Sequence, residues 1–223
     1  MNSNIDQIKK TYSNTRYAYE SKRGIVWYEI CRYLTRNFSF PLSNTLELGC
    51  GYGDFIGNLI SSKKTVIEID TYYSKFIKAY GNEINILLGD VRKIIPTLPS
   101  NEYDSILASN FFEHFTMEEI CILLREIHRI ISNDGTLIVI QPNYRFCASK
   151  YYDDYTHRTA FSHVSFGDLL QVMGFRIEVN MPIFLPFSFK SRFPVTRLLV
   201  RLYLLSPFKP MGAQFLIIAR KQN

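Results

Sequence analysis

The sequence predicts an α/β fold in a single domain, and three observations predict it. Short apolar runs alternate with amphipathic helical stretches, the first such run (46–48) stops in a glycine-rich turn, and acids stand at the ends of the next two. Alternation of this kind builds parallel βαβ units. At 223 residues and 47% hydrophobic content, the chain can bury one sizeable core without a second domain.

The elements follow in order. Residues 23–34 carry apolar side chains at helical spacing and predict a helix, within a leading segment 1–40, that covers a sheet edge. A first strand ends at Leu48, a second covers 65–70 and ends in Asp70, a third covers 84–90 and ends in Asp90, and a fourth starts at Tyr103. Residues 118–131 form an amphipathic helix, and Asn133-Asp134-Gly135 has the turn chemistry expected between a helix and a fifth strand over 136–142. A helix over 165–173 closes at Gly174 before a sixth strand from Phe175 to Val179; a seventh covers 214–220. The organisation predicted is a core over 41–183, an insertion over 184–213 and a last strand and tail over 214–223. No repeat or low-complexity stretch interrupts it.

The glycine turn carries the chemistry. Gly49, Gly51 and Gly53 alternate after the strand, so the backbone can take positive φ and lie against a ligand with no Cβ between. Dinucleotide sites use Gly-x-Gly-x-x-Gly to seat a pyrophosphate on a helix N-terminus. Here the pattern is Glu47-x-Gly49-x-Gly51-x-Gly53 with Asp54 next. Two carboxylates would repel a pyrophosphate and suit a cofactor bearing a sulfonium and an ammonium, which is S-adenosylmethionine.

On these residues the chain resembles the class I S-adenosylmethionine-dependent methyltransferases over about residues 40–180. The resemblance implies a seven-stranded doubly wound (Rossmann-like) sheet with helices on both faces, its last strand antiparallel and slotted between the fifth and sixth. It implies cofactor contacts from Glu47, Gly49, Cys50, Gly51 and Gly53, ribose binding by Asp70, adenine binding by Asp90 with Val91, a methionine-end contact from Asn110, and Glu113-His114 over the transfer site. Taken singly, Asp70 and Asp90 read equally well as helix caps. In such enzymes aromatics like Tyr12, Tyr17 and Tyr19 close over the cofactor; a leading helix with surface aromatics is the alternative.

Methyl transfer is an in-line displacement, and an oxygen acceptor must also lose a proton, so a positioned base is useful. Residues 151–163 offer candidates. Asp154-x-x-His157-Arg158, with Phe161-Ser162 following, resembles a segment of methyltransferases encoded with bacterial surface-polysaccharide enzymes. That reading makes His157 the base, Asp153 or Asp154 the group that holds its tautomer, and His114 the second candidate. His128 and His163 are expected to be structural. Asp153 and Asp154 lack a second acidic pair, so no catalytic metal is expected. Cys31, Cys50, Cys121 and Cys147 are scattered singly and read as reduced thiols.

Charge points to the acceptor. Residues 181–223 hold seven lysines and arginines and no acid, against a whole-chain net of +6. The insertion mixes aromatics, prolines and a short helix with Arg197 and Arg201 on one face. It reads as a peripheral contact with an anionic membrane surface, as a lid, or as a homodimer contact. The reading is an O-methyltransferase acting on a sugar or a lipid-linked or phosphate-bearing glycan precursor, on the cytoplasmic side, since residues 1–7 lack the basic-then-apolar pattern of a secretory signal. A quinone-like small-molecule acceptor is the closer rival, because Glu113-His114 also resembles those enzymes, and a non-catalytic cofactor-binding module is a remoter one. Nucleic acid is disfavoured: adenine-specific enzymes carry Asn/Asp-Pro-Pro-Tyr/Phe after the fourth strand, where this chain has Asn110-Phe111-Phe112-Glu113.

Overall fold

The computed structural model describes residues 20, 22–81, 83–186 and 195–222. Strands β1 (Asn44–Leu48), β2 (Lys63–Glu68), β3 (Ile84–Leu88), β4 (Tyr103–Ser109), β5 (Ile131–Pro142), β6 (Phe175–Pro186) and β7 (Gly212–Lys221) form one sheet in the order β3-β2-β1-β4-β5-β7-β6. The first five pair in parallel, and β7 runs antiparallel between β5 and β6. This is the doubly wound, seven-stranded arrangement expected.

Strand periodicity explains why both faces need helices. Successive side chains alternate between faces, and here both sets are apolar. Leu46, Leu48, Ile106, Ala108, Leu137, Val139, Phe215 and Ile217 enter one core, while Leu107, Ile138, Ile140, Leu216 and Ile218 enter the other. Helix α5 (Met117–Ile130) covers the first face with Ile120, Leu123, Leu124, Ile127 and Ile130. Thr116 starts it with a capping box, its hydroxyl accepting from the Glu119 amide while the Glu119 carboxylate accepts from the Thr116 amide. Helices α1 (Arg23–Asn37), α2 (Asp54–Asn58) and α3 (Ser74–Lys78) lie on the second face. The remaining helices are α4 (Val91–Ile94), α6 (Tyr144–Tyr151), α7 (His163–Val172) and α8 (Arg197–Leu205).

Two of the boundaries that differ from expectation shift an element by several residues. β5 begins at Ile131, directly after α5, because Ile131 pairs with Tyr103; the predicted turn residue Asp134 takes positive φ (62°) inside the strand. The sixth strand continues to Pro186, since Phe184 and Leu185 are buried in the second core. The insertion therefore leaves the sheet after residue 186, not at Phe184. Its residues 187–194, with Lys190 and Arg192, lie outside the described residues, as do Tyr12, Tyr17 and Tyr19.

Helix α8 packs on α1 through its arginines. Arg201 binds Glu29 through two hydrogen bonds (2.6 and 3.1 Å), and the Arg197 guanidinium sits 4.4 Å from the centre of the Tyr28 ring. The two share a face as predicted, and that face meets α1, where each guanidinium has a partner while both side chains stay in contact with solvent. Leu198, Leu202 and Leu205 are 65%, 56% and 67% exposed on the same helix. Among the described residues no helix is long and apolar enough to cross a membrane.

The pair is asymmetric, since Glu29 is buried while the Arg201 side chain is 41% exposed. Arg201→Ala strands a buried carboxylate; Glu29→Ala releases a guanidinium that water can reach. Thermal unfolding should therefore show the larger drop in midpoint for Arg201→Ala, and equal drops would mean the pair does not tether α8.

Candidate active site

Every parallel strand ends at the same edge of the sheet, where a doubly wound fold binds ligands. There, Gly49, Gly51 and Gly53 have φ of 64°, 52° and 74°. A Cβ on Gly49 would lie 2.8 Å from Phe111, and one on Gly53 would lie 3.1 Å from Ile77. The glycines thus serve packing and conformation together. Cys50 is buried, and its carbonyl accepts from the Gly53 amide at 2.9 Å.

Acids pin the loop. Glu47 Oε2 accepts from the Ile56 amide (2.9 Å), and burial raises its pKa well above the ordinary carboxylate range. Asp54 accepts from Arg23 Nε (2.8 Å) and the Tyr80 hydroxyl (2.7 Å), joining the loop to α1 and to the residue after α3. Both acids proposed to suit a cationic cofactor are thus engaged within the protein. Sequence reasoning missed Glu68, whose buried carboxylate accepts from the amides of Gly51 (2.7 Å), Ile69 (2.8 Å) and Asp70 (3.0 Å) and so ties the loop to the end of β2. The available signal was an acid two residues before Asp70, directly after the apolar pair Val66-Ile67.

Asp70 follows β2 and accepts from the Tyr72 amide through Oδ1 (2.9 Å), leaving Oδ2 without a partner among the described residues. One oxygen thus caps the turn, as the capping reading expected, and the other remains available for the ribose role that the resemblance implies. Asp90 follows β3 and differs. It accepts from the Arg92 amide and from both arms of the Arg92 guanidinium, which holds its pKa low. An adenine amino group would have to share this carboxylate with Arg92. Val91 is buried at the start of α4. Asn110 follows β4 with φ of 48°, its amide donating to the Ile140 carbonyl at 2.9 Å.

Beside Asn110 the structure gathers Glu113, His114 and His157, with one ligand atom from each lying within 4.8 Å of the others. The carbonyl of Glu113 accepts from the amides of Arg158 (2.7 Å) and Thr159 (3.3 Å), clipping the segment after α6 onto the 3-10 turn Phe112–His114. His157 Nδ1 lies 2.7 Å from the Tyr151 carbonyl, which accepts only if Nδ1 carries the proton, so Nε2 keeps its lone pair. The tautomer is therefore set by Tyr151, not by Asp153 or Asp154 as predicted. Asp153 is exposed; Asp154 Oδ2 lies 3.9 Å from His157 Nε2 while Oδ1 accepts from the Thr156 amide and hydroxyl. The same hydroxyl is 3.0 Å from His114 Nδ1, so Thr156 bridges Asp154 and His114. Burial lowers the pKa of His157 and takes His114 down to about 4.

Glu113 is fully buried, and among the described residues neither carboxylate oxygen has a hydrogen-bond partner; burial lifts its pKa to about 8. Ser109 Oγ and both amide atoms of Gln141, at the ends of β4 and β5, are likewise buried with no partner among the described residues. Unsatisfied polar atoms are costly, and their concentration at one sheet edge marks where a polar ligand belongs. The absence of acid pairs led the sequence reading away from a metal, whereas the structure brings together a mixed set from two segments. His128 and His163 lie elsewhere, against Phe175 and Asn143.

Residues 46–139 match the family model described as a methyltransferase domain. Residues 46–139 thus carry a methyltransferase domain. Solved structures similar to this methyltransferase include a SAM-dependent methyltransferase from Archaeoglobus fulgidus (19% identity, TM-score 0.68, 96% of this chain and 99% of that one). A second, from Mesorhizobium loti, is 16% identical with a TM-score of 0.61 over 87% of this chain and 98% of that one. A third, from Thermotoga maritima and described as a possible histamine N-methyltransferase, is 17% identical with a TM-score of 0.64 over 98% and 96%. At these identities the likeness is one of fold. No curated protein matches the sequence. The methyltransferase's cofactor is S-adenosylmethionine, and the residues fit it in part: Gly49 is exposed at the left-handed turn while Gly51 and Gly53 are buried, and Asp70 Oδ2 has no partner among the described residues.

Two predictions follow from these environments. Asp70→Asn keeps a capping side chain but weakens the acceptor, so cofactor affinity by calorimetry should fall at least about tenfold with little loss of stability; unchanged affinity would remove Asp70 from the site. For Glu113, ordinary pKa 4.5 and folded pKa about 8, the folded state binds the extra proton. Its contribution is fully present below pH 4.5 and is lost as pH rises toward 8. His114, ordinarily 6.5 and about 4 when folded, has the opposite sign and loses stability as pH falls from 6.5 to 4. In metal-free buffer the melting midpoint should therefore decline between pH 6.5 and 8, and Glu113→Gln should flatten that decline.

Proposed function

We propose that this methyltransferase O-methylates a sugar hydroxyl of a lipid-linked or phosphate-bearing glycan precursor. The observation that carries the reading is the His157 tautomer, with Nδ1 committed to Tyr151 and Nε2 left basic beside Glu113, His114 and Asp154. S-adenosylmethionine supplies a methyl group activated on a sulfonium. Glycines 49, 51 and 53 with Cys50 and Glu47 form the loop that lies along it, Asp70 accepts from its ribose, Asp90 and Val91 meet its adenine, and Asn110 meets its methionine end.

A sugar hydroxyl is a poor nucleophile until its proton has somewhere to go. His157 Nε2 takes that proton, and Asp154, 3.9 Å away, stabilises the imidazolium. His114, held through Thr156 to Asp154, fixes the acceptor side of the site. The acceptor class is supported by the resemblance of the Asp154-to-Ser162 segment to polysaccharide-cluster enzymes and by the basic stretch 181–223. Membrane proximity is supported by the exposed leucines of α8 rather than by its arginines.

The test is to incubate the protein with methyl-labelled S-adenosylmethionine and cell extract and fractionate the label. Label in sugar nucleotide or lipid-linked glycan supports the reading; label in quinone, simple lipid or nucleic acid overturns the acceptor class. His157→Ala should lower single-turnover rate by about 10²–10⁴ with cofactor affinity unchanged. A smaller loss with no change in pH profile would take the base role from His157.

A further inference from the structure

We propose that Glu113, His114 and His157 together bind one divalent transition-metal cation of the zinc class. The inference rests on reading this cluster as the acceptor end of the site, and it changes one part in that reading. With a cation bound, the His157 Nε2 lone pair goes to the metal, and the acceptor hydroxyl coordinates in the position left open by three protein ligands. A cation polarises that hydroxyl, so its proton can pass to solvent water without a side-chain base.

Three independent observations carry the proposal. One ligand atom from each residue already lies within 4.8 Å of the other two; bonds of about 2.0–2.2 Å would draw these atoms inward by less than about 1 Å. The Glu113 carboxylate is fully buried and neither oxygen has a partner among the described residues. A buried carboxylate without donors is expensive, and coordination is one of the few states that relieves it. His157 donates Nδ1–H to a backbone carbonyl, the outer hydrogen bond that orients a ligating imidazole and aims Nε2 at a metal.

The frame is suited to hold such an ion. Glu113 and His114 come from a 3-10 turn whose Phe112 is fully buried, and two hydrogen bonds from Arg158 and Thr159 to the Glu113 carbonyl lock the His157 segment against it. Two imidazoles and one carboxylate favour zinc, cobalt or manganese over magnesium or calcium, which take oxygen ligands.

The full-length protein, stripped with chelator, would be titrated with Co²⁺ and followed by its visible d–d absorption, then with Zn²⁺ by calorimetry. The expected result is one equivalent per chain, with affinity lower by at least about a hundredfold in Glu113→Gln and in His157→Ala. Cofactor affinity in the same variants reports that they fold, and Glu113→Asp should recover part of the binding. No d–d spectrum, or equal cation affinity in wild type and both variants, overturns the site. Full turnover of the stripped enzyme, lost in His157→Ala, overturns the cation while leaving His157 as base and the functional reading intact. Stoichiometric, variant-sensitive cation binding with label appearing in nucleic acid or quinone upholds the site and sinks the acceptor class instead.

Discussion

The left-handed turn between β1 and α2 is the constraint on which the rest of the structure depends. A side chain in this conformation costs about 1–2 kcal/mol per residue, and the turn uses it at Gly49, Gly51 and Gly53. At Gly49 packing adds a second penalty, because a Cβ would press on Phe111, the residue that leads into the Glu113-His114 turn. The glycine turn and the Phe112–His114 turn are thus coupled through one contact, since the backbone at Gly49 is the surface against which Phe111 packs. Glu68 extends the coupling by accepting from the amides of Gly51, Ile69 and Asp70, which ties the loop to the end of β2.

Four buried acids stand at this edge, and among them the partners of Glu47, Glu68 and Glu113 separate their roles. Among the described residues Glu68 receives three backbone amides, Glu47 one, and the Glu113 carboxylate none. Each pKa is raised because burial outweighs whatever donors are present. A buried carboxylate can be held by amides, by a cation or by its own proton. Glu68 uses the first route and is a fixture of the scaffold. Glu113 has only the latter two, which makes it the acid whose state a ligand can change. The ion pairs at the surface nearby, from Asp90 to Arg92, Glu119 and Arg158, fix geometry more than they contribute energy, being partly screened by water.

The fold was legible because its signals are local. Strand runs bounded by glycine and acids, and the 3.6-residue spacing of Ile120, Leu123, Leu124 and Ile127, survive any tertiary arrangement. Asp70 was equally legible, since its place depends only on following β2. The acceptor side was less so. Asp154 looked like the partner of His157 because the two are three residues apart, but the chain folds so that the Tyr151 carbonyl reaches Nδ1 first. A backbone carbonyl leaves no mark in the sequence. The grouping of Glu113 with His157, separated by 44 positions in the chain and joined by hydrogen bonds to one carbonyl, leaves none either.

Helix α8 shows the same limit acting on charge. Arg197 and Arg201 fall on one face of the helix, and composition alone assigns that face to an anionic surface. Glu29 decides otherwise: a buried carboxylate on α1 needs a cation, and Arg201 supplies it with two hydrogen bonds while Arg197 covers Tyr28. With both guanidiniums partnered on α1, the helix also offers Leu198, Leu202 and Leu205 to the outside. Because β6 runs parallel to β5, its end at Pro186 lies at the same edge of the sheet as the ends of the other parallel strands.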